Sequence, residues 1–116
     1  MERLQIYEVF DCNRTLYKML EQQKTFPISL GFKLFKLMKV FDEVEEYVFN
    51  TMETTFKDFK FENMNEEEKM FYNTILSSEI ELDYEKINTS YFENNEDLML
   101  TIEDIGNLSI ILSKKE

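Results

Sequence analysis

The sequence predicts a mainly α fold of the α+β class: an antiparallel helical hairpin with a long second helix, plus a short two-stranded β element and one or two short helices in an acidic C-terminal half. Three observations predict it. Leu30, Leu34, Leu37, Phe41, Val44 and Val48 recur in alternating steps of four and three, the spacing of a helical packing seam. Glu79-Ile80-Glu81-Leu82-Asp83-Tyr84-Glu85 alternates charged and apolar side chains at the period of a strand. Residues 61–116 hold fourteen acids and four bases while residues 1–60 hold ten and nine, so nearly all of the formal charge of -11 belongs to the second half. A chain of 116 residues, 43% apolar and 15% aromatic, suits one folded domain, with 1–60 as the hairpin and 61–116 as an acidic cover.

In chain order, Ile6, Val9, Phe10, Cys12, Leu16, Met19 and Leu20 predict a first helix over Leu4 to Gln23 with one broad apolar face. The connection Lys24 to Ser29 contains the only Pro; Pro27 discourages helical geometry in Phe26 and is suited to start the next helix. That helix is expected from about Ile28 to Phe56, with Gly31 tolerated in its first turn. Its other apolar residues, Phe32, Phe35, Met38, Tyr47, Phe49 and Met52, spread well beyond the seam. Such a helix needs more cover than one neighbour supplies, so either the C-terminal half or another subunit packs on it. Lys33, Lys36 and Lys39 precede Asp42, Glu43, Glu45 and Glu46, an order that opposes the helix dipole but by only a few tenths of a kcal/mol per exposed charge. These lysines read as a solvated face before they read as phosphate contacts.

The pattern breaks from Asp58 to Asn65. Asn65 followed by Glu66, Glu67 and Glu68 is an N-cap with acids in the first turn, so a third helix runs to about Ser77 or Ser78 with Phe71, Ile75 and Leu76 as its buried contacts. The alternating segment then places Ile80, Leu82 and Tyr84 on one side of a strand and four carboxylates on the other. Asp97, Leu98, Met99 and Leu100 are expected to form the strand beside it, after a polar loop holding Tyr91 and Phe92. Thr101-Ile102-Glu103-Asp104 resembles a capping box with Asp in place of Glu, opening a final short helix in which Ile102, Ile105, Leu108 or Ser109, and Leu112 continue at helical spacing and which Gly106 weakens; Ile110 to Ser113 can instead finish as a strand.

The missing residue types restrict the chemistry. With no His, no Trp, two Gly and one Cys, the chain has no Gly-rich phosphate loop, no Cys/His zinc spacing and no Ser or Cys nucleophile with a His base. Cys12 reads as a small buried apolar residue. Glu79, Glu81, Asp83 and Glu85 are the one carboxylate set that could attempt acid-base work or hold Mg2+, yet they fan outward along a strand rather than converge. No enzyme activity and no cofactor or metal is therefore expected. No stretch is apolar enough to cross a bilayer, and the N-terminus lacks the pattern of a signal peptide, so no membrane association or export is expected. Direct binding of nucleic acid is disfavoured by the charge of -11.

The residues Thr25-Phe26-Pro27 leading into Leu34 to Glu45, then Ile80-Glu81-Leu82-Asp83-Tyr84-Glu85-Lys86-Ile87, then Leu100-Thr101-Ile102-Glu103-Asp104 through Leu108, resemble a group of small uncharacterised bacteriophage proteins. In that group a basic-apolar helix after a Pro ends in acids, and a Val/Ile-Glu-Leu-Asp segment with Lys-Ile precedes a Leu-Thr helix start. This chain carries more Phe and Asn and lacks the group's small residues in the long helix, which argues against close helix packing there. The resemblance implies phage origin and a small non-enzymatic protein, placed in the cytoplasm of the infected bacterium or in the virion.

Two functions are expected to compete. In the first, an accessory protein binds a basic surface on a host or phage protein, with mimicry of nucleic-acid charge as one way to inhibit a host factor in defence or transcription. The binding residues are then Glu79, Glu81, Asp83 and Glu85, with Glu93, Glu96 and Asp97 as a second cluster and Tyr91 and Phe92 as apolar anchors. In the second, the Phe- and Met-rich long helix docks on copies of itself or on a larger particle protein, so a homo-oligomer is compatible with the chain.

Overall fold

The chain begins with a strand that pairs far along the sequence. In this computed structural model, which describes residues 1–23, 25–92 and 99–113, β1 (Glu2–Gln5) runs antiparallel to β2 (Glu79–Leu82), with Glu2 opposite Leu82, Arg3 opposite Glu81, Leu4 opposite Ile80 and Gln5 opposite Glu79. The first helix accordingly starts at Ile6 instead of Leu4 and is α1 (Ile6–Gln22). Leu4 and Ile6 are two apart, a spacing that fits a strand entering a helix as well as a helical face, and both are buried. The backbone N–H of Ile6 donates to Ser78 O at 3.0 Å, and the N–H of Gln5 donates to Glu8 Oε1 at 3.0 Å, so the β2 end and a first-turn acid together fix where the helix begins.

The strand expected over Asp97 to Leu100 is not the partner of β2. Asp97 and Leu98 lie outside the described residues, and Met99 and Leu100 belong to no regular element. β1 is the better neighbour physically, because it sets Leu4 beside Ile80 on the core side and a cation, Arg3, beside Glu81 on the outer side. β2 also ends at Leu82, short of the expected Glu85, since its register with β1 ends where Glu2 meets Leu82.

The long helix is α2 (Ile28–Thr55), and every residue of its seam is buried, from Leu30 to Val48. α1 packs antiparallel against it through Val9, Cys12, Leu16 and Met19, all at most 1% exposed. α3 (Glu66–Ser77) is capped as expected: Asn65 Oδ1 accepts from Glu68 N–H at 2.8 Å, and Glu68 Oε1 accepts from Asn65 N–H at 2.9 Å. Phe71, Ile75 and Leu76 of α3 are half-buried instead of fully so. β3 (Ile87–Asn88) pairs in parallel with β4 (Leu112–Ser113), so of the alternative strand Ile110 to Ser113 only the last two residues are strand, after α4 (Ile102–Asn107) and a 3-10 turn at Leu108–Ile111. Ile87, Leu108 and Ile111 join the α1/α2 core, and Ile80, Leu82 and Tyr84 pack on it from β2 and beyond. The fold is thus mainly α, a helical hairpin carrying a small β element.

Two polar contacts fix how the elements dock. Asp104 completes the capping box of α4, with its N–H donating to Thr101 Oγ1 at 3.0 Å, and it also receives Lys18 Nζ of α1 at 2.5 Å. That lysine, with the Thr101 N–H, holds the Asp104 carboxyl below its ordinary value. Between α1 and α2, the buried amide of Asn13 donates from Nδ2 to Asp42 Oδ1 at 2.9 Å and to Glu45, while Tyr17 Oη donates to Asp42 Oδ2 at 2.8 Å. Burial pushes the Glu45 carboxyl up, Asn13 opposes that, and the neighbouring Asp42 charge adds to it.

The seam and its polar edge give two expected outcomes. Phe41→Ala, which empties a site with no exposure at the centre of α2, should lower stability by about 3–5 kcal/mol in urea unfolding. Because the folded chain binds the Glu45 proton more readily than the unfolded chain, the stability tied to that proton is complete below the ordinary value of 4.5 and is lost as pH rises through the higher folded value. Glu45→Gln should therefore raise the melting temperature at neutral pH, and the gain should shrink as pH falls below 4.5; a gain of equal size at both pH values would contradict this.

Candidate functional site

The strand carboxylates stand where the alternation puts them. Glu79, Glu81, Asp83 and Glu85 are all exposed, while Ile80, Leu82 and Tyr84 face the core; Tyr84 Oη donates to Ile110 O at 2.7 Å and its ring meets Phe41 edge-on at 5.5 Å. Burial, with Glu2 nearby, raises the Tyr84 phenol above its ordinary value, so it stays protonated in its hydrogen bond.

The acidic row is not bare. Arg3, brought alongside by β1, places its guanidinium 3.1 Å from Glu81 Oε1 and 3.7 Å from Glu79 Oε2. Lys33 reaches from α2 to Glu85 Oε1 at 3.1 Å, and Lys86 reaches Glu2 at 3.2 Å. Asp83 alone of the four has no ion pair among the described residues. Exposed pairs of this kind contribute about 0–1 kcal/mol each, so they orient side chains and halve the local charge without locking the face against a cationic partner.

Tyr91, in a 3-10 turn at Thr89–Tyr91, is 39% exposed and lies under the Lys33 ammonium, 5.6 Å from the ring centroid. Phe92 is half-buried and packs on the core, which leaves it little to offer as an anchor. The second acidic cluster, Glu93, Glu96 and Asp97, lies outside the described residues.

The larger feature is on α2, where the cover that the sequence demanded is only partly supplied. Met52 is fully buried and Met38 half-buried. Phe49 stacks on Phe61 at 5.5 Å, and Phe61 in turn meets Phe59 at 4.7 Å and Tyr72 at 5.4 Å, so an aromatic cluster from the segment between α2 and α3 closes one flank of the C-terminal half. Among the described residues nothing gives such cover to the outer side of the N-terminal half: Ile28 is 79% exposed, Phe32 63% and Phe35 65%. Phe32 lines one groove and Phe35 another. One, of about 550 Å³, separates α2 from the segment Asp83, Tyr84, Glu85; the other, of about 580 Å³, separates it from Tyr17, Leu20 and Phe26. Lys36 and Lys39 border them. The sequence signalled this surface as surplus apolar material on α2, but not which side would remain open.

Burial, aided by Asp11, pushes the Cys12 thiol up to about 12, so it carries no thiolate at neutral pH. Among the described residues, no group of three or more His, Cys, Asp or Glu side chains is placed to hold a metal ion, and no helix is long and apolar enough to cross a membrane. Compared with known proteins, the chain matches no family model, no curated protein and no solved structure.

Proposed function

We propose that this chain is a protein-docking module that performs no reaction, and that the outer face of α2 is its docking element. The observation that carries this reading is the exposure of Ile28, Phe32 and Phe35 together on one helical face, flanked by grooves on both sides. Scattered exposed apolar residues are ordinary on a folded surface, but a run of large ones on one face, rimmed by lysines, is the pattern of an interaction surface. The resemblance to small acidic bacteriophage proteins adds the setting: an assembly component of a phage particle, or an accessory protein made in the infected host.

A second reading is supported by the exposed row Glu79, Glu81, Asp83 and Glu85, which would meet a basic surface on a host or phage protein, as a mimic of nucleic-acid charge does. The ion pairs from Arg3 and Lys33 place it second, because a partner must displace or share them.

The two readings separate in solution. With the helix as docking element, Phe32→Ser with Phe35→Ser should abolish most of the binding of 8-anilinonaphthalene-1-sulfonate to the dilute chain while far-ultraviolet circular dichroism stays unchanged; dye binding equal to that of the parent chain would sink the reading. With the strand as docking element, Glu81→Lys with Asp83→Lys should remove a salt-dependent affinity for an oligolysine peptide that the parent chain shows. An affinity that the double charge reversal leaves intact would eliminate the strand.

A further inference from the structure

The charges on the outer face of α2 are ordered in a way that no ion pair among the described residues uses. Lys36 and Lys39 lie in its first half and Glu43 and Glu46 in its second, all exposed, and none has an ion pair among the described residues. On a lone helix this order is unfavourable, since cations sit toward the positive end of the dipole and anions toward the negative end. The same order becomes favourable if a second helix of the same kind lies alongside in the opposite direction.

From this we infer that the occupant of the face is a second copy of this chain, with the two α2 helices antiparallel about a two-fold axis at the level of Phe41. Residues equidistant from that level then meet. Lys39 comes opposite Glu43 of the second copy, Lys36 opposite Glu46, and Phe35 opposite Tyr47, which is itself 64% exposed. Every such contact occurs twice, as a two-fold interface requires. A parallel arrangement would set lysine on lysine and glutamate on glutamate, so the charge order selects the antiparallel one. The grooves of about 550 and 580 Å³ beside the apolar ridge are recesses into which side chains of an opposing helix can interdigitate. The net charge of -11 also favours this face over the rest of the surface: two copies repel overall, and the acid-rich half repels most, so contact is least opposed where both signs are present and complementary.

The inference rests on the outer face of α2 being a docking surface, and charge exchange tests the occupant separately from the surface. Light scattering of the parent chain should give twice the 14.1 kDa of one copy at concentrations where it associates. Lys36→Glu with Lys39→Glu turns the two lysines of the pattern into acids, and Glu43→Lys with Glu46→Lys turns its two acids into lysines. Each variant alone should dissociate at roughly tenfold or more higher concentration than the parent. Mixed in equal amounts, the two should form a heterodimer, and all four exchanges in one chain should restore the homodimer. All four side chains are exposed, so folding is preserved. A parent chain that remains at 14.1 kDa overturns the second copy as occupant while leaving the docking face to stand on the dye result with Phe32→Ser and Phe35→Ser. A dimer that both charge variants retain unchanged overturns the proposed geometry, and loss of neither dye binding nor association overturns face and occupant together.

Discussion

One helix has more apolar surface than the rest of the chain can cover, and the fold is arranged around that imbalance. The seam from Leu30 to Val48 fixes α2 against α1, and Ile87, Leu108 and Ile111 seal the same core from the C-terminal half. Each is a case of apolar area leaving water, at roughly 25 cal/mol per Å². The second half of α2 gains further cover because Phe59 and Phe61 fold back beside Phe49 and Tyr72. Among the described residues the first half gains none on its outer side, and there Phe32 and Phe35, 63% and 65% exposed, stand among its lysines. An exposed apolar face is the physical consequence of a core that stops short.

Electrostatics enters as a modifier of that picture. A formal charge of -11 concentrated in one half suggests a strong local field, yet the fold brings basic residues of the neutral half to the acids: Arg3 to Glu79 and Glu81, Lys33 to Glu85, Lys18 to Asp104. The first three pairs are exposed and weak. The fourth is more enclosed and doubles as a cap contact, so it positions α4 on α1 while the others shape the surface. Among the described residues Asp83, just past β2, has no ion pair, and neither have the ordered charges Lys36, Lys39, Glu43 and Glu46 on the outer face of α2.

How much of this the residues revealed depends on how local each signal is. The seam of α2, the Asn65 cap of α3 and the Thr101 cap of α4 depend on side chains three or four positions apart, and each stands where the spacing placed it. The strand at the N-terminus was illegible because its four residues acquire meaning only from a partner far along the chain, where Arg3 meets Glu81 at a separation of 78. The same distance hid the neutralisation of the acidic row. The segment from Asp58 to Asn65 read as a mere break, although Phe59 and Phe61 within it decide which flank of α2 is closed. The surplus of Phe on α2 was visible from composition; the open side was not, since it follows from those two rings.

In the free chain Phe35 stands in water, 65% exposed. Because there is no Trp in the sequence, Phe35→Trp would introduce a single indole reporter at that site. At limiting dilution this indole should show long-wavelength emission and free quenching by acrylamide, as an indole in solvent does. Short-wavelength emission protected from acrylamide at the same dilution would mean that the chain covers its own helix and would rule out an open outer face on α2.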